Sequence, residues 1–209
     1  AGAFGPLRAP VVHEMQPGPD IAWFAPRAVE VALLAHNAKL LETWLLFARD
    51  GGRDAYAAAE WLPLAGLIEA GLVPIDDASE MALRMAKGRQ LDGTRLHLLA
   101  SALDALAVNV PIPWWNEAAN HPQPAQGVLP PGGTLSELKK ARDEGRAGEA
   151  LLLSLEAVGA TPPDELHMLA LGDIVRSLHK TGFKREAGWC AFEALYRLWP
   201  TGQTRIAAR

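Results

Sequence analysis

The chain has 209 residues, 49% of them hydrophobic and 21% charged, enough to bury one large core or two small ones and too apolar for a disordered chain. A formal net charge of -4 and a pI near 5.9 give no general attraction for phosphate backbones, so nucleic acid is not an expected partner. A single cysteine, Cys190, excludes an internal disulfide and a cysteine-based metal cluster, and the apolar runs are too short and interrupted for a membrane span.

The expectation is therefore a soluble chain. It begins at Ala1 rather than Met, which fits a processed exported protein, a trimmed product or an excised fragment equally. The compartment stays open between exported or periplasmic and cytoplasmic.

Residues 1–21 hold Pro6, Pro10, Pro17 and Pro19 and show no helical period, which predicts an extended arm. Residues 22–108 read as an irregular set of helical hairpins. From Pro26, Leu33, Leu34, Leu40, Leu41, Trp44, Leu45 and Ala48 recur at helical spacing, and Gly51-Gly52 should stop that helix. Asn37 interrupts the stripe beside His36: a buried amide there needs a hydrogen-bond partner, or it marks a helix break. A second helix over about 53–70 should bend or break before Pro63. Asp77 or Ser79 can cap the next helix, which runs to about Gly88. The following one places Leu96, Leu99, Leu103 and Leu106 on one face, with His97, Ser101 and Asp104 on a solvated face opposite.

Six prolines between positions 109 and 133 surround Trp114-Trp115 and predict a long Pro-rich loop or linker that divides the chain. Beyond it, Thr134 or Ser136 can cap a helix to Gly145, and helices follow at about 147–158, 164–181 and 184–199, leaving residues 201–209 as a basic tail. No stretch alternates with period two, so the fold class is all-α: an array of helical hairpins, an α-solenoid, interrupted by the Pro-rich loop.

A recurrence supports the array. Gly145, Glu149-Ala150 and Glu156-Ala157 return after 37 residues as Gly182, Glu186-Ala187 and Glu193-Ala194, and Ala141-Arg142-Asp143 has a faint echo in Ala48-Arg49-Asp50. Over residues 134–200 this pattern resembles the tetratricopeptide repeat around its inter-helix turn. Glycine turns the chain, alanines let two helices approach closely, and Pro162 and Pro200 end the second helix of each pair. The chain departs from that family in its spacing of 37 rather than 34 residues, and in Leu138 and Val175 where a small residue is expected, so helix packing there must differ. The resemblance implies a partner-holding shape whose partner is another protein or peptide.

Two surfaces are candidate binding sites. Trp114, Trp115, Asn116 and His121 offer flat apolar faces with polar neighbours for a peptide or a sugar ring, or else tuck back onto the helices. Arg176, Lys180, Lys184 and Arg185 fall around one turn, in a C-terminal stretch from 176 to 209 with seven Lys and Arg against two Asp and Glu. That end suits an acidic partner, with an anionic membrane surface as the lesser option.

Catalytic constellations are weak. His97, Ser101 and Asp104 carry the letters of a hydrolytic triad but lie on successive turns of one helix, without the strained turn and oxyanion hole a nucleophile needs. Glu117 and His121 stand four apart, too few for a metal site, and Cys190 reads as a small core residue. No metal or cofactor is expected. The reading is a non-catalytic scaffold or interaction module, and the alternative is a carbohydrate or cell-wall polymer domain using Trp114, Trp115 and a carboxylate such as Glu117 or Glu60.

Overall fold

The computed structural model describes residues 5–50, 57–68 and 73–200, and these contain eleven α-helices and no strand, as an all-α fold requires. The chain divides into two compact units, Ala1–Ala82 and Leu83–Arg209. No described helix is long and apolar enough to cross a membrane.

The first unit opens with α1 (Gly5–Glu14), where an extended arm was expected. Pro6 falls in the first turn, where its missing amide would have had no partner; Pro10 sits inside the helix. A 3-10 turn (Pro19–Phe24) leads into α2 (Ala25–Leu34), and α3 (Ala38–Asp50) follows. The break between α2 and α3 falls at His36, whose φ of 50° is left-handed. Asn37 then caps α3, its side-chain oxygen accepting from the Leu40 amide at 3.0 Å. The polar interruption of the leucine stripe is thus a turn, not a buried amide. Gly51-Gly52 lie outside the described residues.

Trp44, Leu33, Leu41, Leu64 and Leu67 form the buried centre of this unit. Phe24 meets Trp44 edge to face at 5.9 Å between ring centroids, an arrangement that puts a positive ring edge on a negative ring face. A 3-10 turn (Ala57–Trp61) and α4 (Leu62–Ile68) complete it, and Pro63 stands in the first turn of α4, where the sequence had to break. The unit boundary falls within α5 (Ile75–Lys87), which begins at Ile75 and places Ser79 buried inside the helix instead of at its cap.

The second unit contains α6 (Gly93–Ala105), α7 (Ile112–Ala119), α8 (Gly132–Asp143), α9 (Ala147–Val158), α10 (Met168–Lys180) and α11 (Lys184–Tyr196). Asp92 caps α6 by accepting from the Arg95 amide at 2.9 Å. Helices α8 and α9 form one hairpin, α10 and α11 a second, turned at Gly145 (φ 70°) and Gly182 (φ 99°), a left-handed conformation that favours glycine. Helix α10 touches α6, α8, α9 and α11, and its Ala170, Leu171, Ile174, Val175 and Leu178 are buried.

The segment 109–133 does not divide the chain. It lies within the second unit, holds α7 packed on α6, and is tied further along by a parallel bridge in which the Val128 amide donates to the Glu165 carbonyl at 2.8 Å and Val128 accepts from His167 at 3.0 Å. Gly127 (φ 126°) is required there, because a Cβ would fall 2.6 Å from the His167 backbone. Neither Thr134 nor Ser136 caps α8, which starts at Gly132; the Thr134 hydroxyl instead donates to Glu156 at 3.1 Å, joining the start of α8 to the end of α9.

Leu138 and Val175, the bulky residues at expected small positions, are fully buried. Leu138→Ala is expected to cost about 2–5 kcal/mol of stability through lost burial and a residual cavity, read from urea denaturation followed by circular dichroism. An unchanged midpoint would mean that the site collapses or was never filled.

Candidate functional site

The tryptophan loop is a short helix. Pro111 precedes α7 and Pro113 sits in its first turn, where the chain needs no donor. Successive positions of the helix diverge by about 100°, so the two tryptophans part company: Trp114 is fully buried, whereas Trp115 is 37% exposed beside Ile112 at 73%. Trp114 is therefore a core residue with no face to offer. Its indole N–H meets no acceptor among the described residues. A paired stacking platform does not exist; Trp115 and the exposed Asn116 remain.

His121 is exposed and lies 3.8 Å from the Glu117 carboxylate across one helical turn. Its side chain crosses directly over Gly93 at the start of α6, a position that no Cβ could share. The carbonyl of His121 meets the ring of His97 at 3.2 Å. His97 is thus buried, not solvated, because this chain return covers that face of α6. Asp104, on the same helix, is occupied by Arg176 at 2.7 Å. His97 and Asp104 thus bond to different partners. No group of three His, Cys, Asp or Glu among the described residues is placed to hold a metal ion.

The basic turn is only partly available. Arg176 bonds Asp104 and stands 3.9 Å from Asp173, so it joins α10 to α6. That removes it from the candidate set. Asp173 also takes Lys139 of α8 at 2.9 Å. Lys180 faces Asp143, whose carboxyl is held below its ordinary value by the Arg142 hydrogen bond first and by Lys180 as a smaller charge. Lys184 and Arg185 are exposed, and Arg185 lies over the Trp189 ring at 4.8 Å, a cation–π contact that fixes its direction. Burial, reinforced by Lys184, holds the His179 imidazole below its ordinary value.

One surface was not foreseen. Helix α9 turns Ala150, Ser154 and Ala157 inward and leaves Leu152 and Leu155 outward, 67% and 62% exposed. The signal was present in the sequence as alanines at the positions repeated in the second hairpin, with leucines between them. Periodicity could not rank the two sets, since both are apolar.

The lowered His179 value predicts a pH dependence. Below its ordinary value of 6.5 the unfolded chain takes up a proton that the folded protein resists, so stability falls as pH drops through that region. His179→Gln should flatten the fall in urea midpoint between about pH 7.5 and pH 5.5; an identical slope would remove His179 as its source. The Cys190 thiol is pushed up to about 12, first by burial and then by Glu193. A thiol probe at neutral pH is expected to label it roughly 100-fold more slowly in the native protein than in urea, and equal rates would show an accessible thiol. The chain matches no family model, no curated protein and no solved structure.

Proposed function

We propose that this chain is a non-catalytic protein–protein interaction or scaffold module, with α8 to α11 forming two tandem hairpins of the tetratricopeptide type. The observation that supports it is the pair of hairpins turned at Gly145 and Gly182, 37 residues apart, with α10 of the second packed on both helices of the first. Hairpins stacked this way create extended surfaces without chemistry. The candidate catalytic groups, by contrast, are engaged in structural bonds: His97 to the His121 carbonyl and Asp104 to Arg176. No observation favours the carbohydrate alternative, since burial of Trp114 leaves Trp115 as a single aromatic face.

The partner is another protein or peptide, and the exposed Lys184 and Arg185 are a second contact point for an acidic one. Affinity capture with crosslinking from native cell extract is expected to enrich a specific protein over a urea-unfolded control of the same chain. Recovery of nothing above that control would count decisively against the module. If the basic turn carries part of the contact, Lys184→Glu with Arg185→Glu should weaken the captured complex about tenfold at low salt and much less at high salt, where surface charge is screened.

A further inference from the structure

The geometry points to the outer face of α9 as a docking face for a cationic amphipathic helix, an inference that rests on the interaction-module reading and names the partner's chemistry. Residues four and three apart return to one side of a helix at about 100° per residue. Gly148, Leu152 and Leu155 therefore form one stripe, all three are exposed, and the exposed Gly159 follows the end of the helix. A surface helix ordinarily buries its large apolar residues and exposes its polar ones. Helix α9 does the reverse, packing small residues against α8 and α10 and presenting leucines to solvent, with glycines at both ends that leave room for a second backbone. A Cβ added at Gly148 would meet nothing within 4 Å.

Charge selects the occupant. Glu149 and Glu156 project along one edge of the leucine stripe, each about one turn from Leu152 and two turns from each other. Residues 147–175 carry five acidic side chains and not one Lys or Arg. Glu149 is paired with Arg146, whereas the Glu156 carboxylate accepts from the neutral Thr134 hydroxyl. Asp164 is paired with Arg197 at 3.5 Å, and Glu165 is exposed beside the start of α10, whose Leu169 is 65% exposed. Glu149, Asp164 and Asp173 are neutralised by Arg146, Arg197 and Lys139, which leaves Glu156 as the acidic charge on the edge of the stripe, and an apolar stripe with that charge beside it complements a helix that carries leucines on one face and Lys or Arg beside them. Apolar area supplies the affinity, and the charges set orientation and exclude acidic helices.

The test uses the full chain and a fluorescent Leu/Lys amphipathic peptide of about 18 residues, long enough to span α9 as a helix, followed by anisotropy. A scrambled peptide of the same composition and a Leu/Glu analogue are the controls. The expected result is saturable binding of the Leu/Lys helix, at least about tenfold weaker for the scramble, for the Leu/Glu helix and for the Leu152→Ser/Leu155→Ser protein. Glu156→Gln should reduce the salt dependence without abolishing binding. Equal affinity of the double-serine protein, with its helical content unchanged by circular dichroism, would place the peptide elsewhere and overturn the proposal. So would self-association of the wild-type chain in sedimentation that the two serines abolish, because a second copy would then be the occupant. If the double-serine chain still captures the same partner from extract, the module reading stands and this surface falls.

Discussion

Helix α10 is the constraint on which the second unit depends. It packs against four other helices, so its buried Leu171, Ile174 and Val175 must satisfy several neighbours at once, and none of those four can shift without repacking them. Its polar side is equally committed. Asp173 holds Lys139 of α8, and Arg176 holds Asp104 of α6, so two helices far apart in sequence are set against α10 by charge as well as by the core. These pairs are part-exposed and worth only about 0.2–1 kcal/mol each. Their use is to fix register, while the apolar interface supplies the stability.

Everything with functional potential is what α10 leaves over. Arg176 is consumed by the core assembly, which reduces the basic turn to Lys184 and Arg185 with Lys180 shared toward Asp143. Helix α7, packed on α6, consumes Trp114 and leaves Trp115. Where α9 meets α8 and α10 its fully buried residues are Ala150, Ser154 and Ala157, while Leu151 and Leu153 are half-buried and Leu152 and Leu155 face outward. Small buried residues and the exposed Leu152 and Leu155 thus lie on different sides of α9.

Local rules were legible where they act within a few residues. The glycine turns at 145 and 182, the chain break near Pro63 and the interruption at His36-Asn37 all follow from φ preferences, capping oxygens and missing amides. The prolines of 109–133 predict a linker because proline in quantity disfavours helices, yet Pro111 and Pro113 stand where a helix tolerates them best, at its start. The same rule explains Pro6 in α1. The helices start at Ile75 and Gly132, ahead of Asp77, Ser79, Thr134 and Ser136, so these residues fall inside the helices instead of at their caps, and the Thr134 hydroxyl is taken by Glu156.

Composition and period were sufficient for the all-α class and the hairpin order of the C-terminal half, because these depend on the chain's own spacing. Burial of Trp114 rather than Trp115, the capture of His97 by the His121 carbonyl, the loss of Arg176 to Asp104 and the outward leucines of α9 were decided in three dimensions. Each turns on which partner arrives from a distant part of the sequence. A residue's chemistry states what it can bond, but only the assembled helices determine which of those bonds remains open.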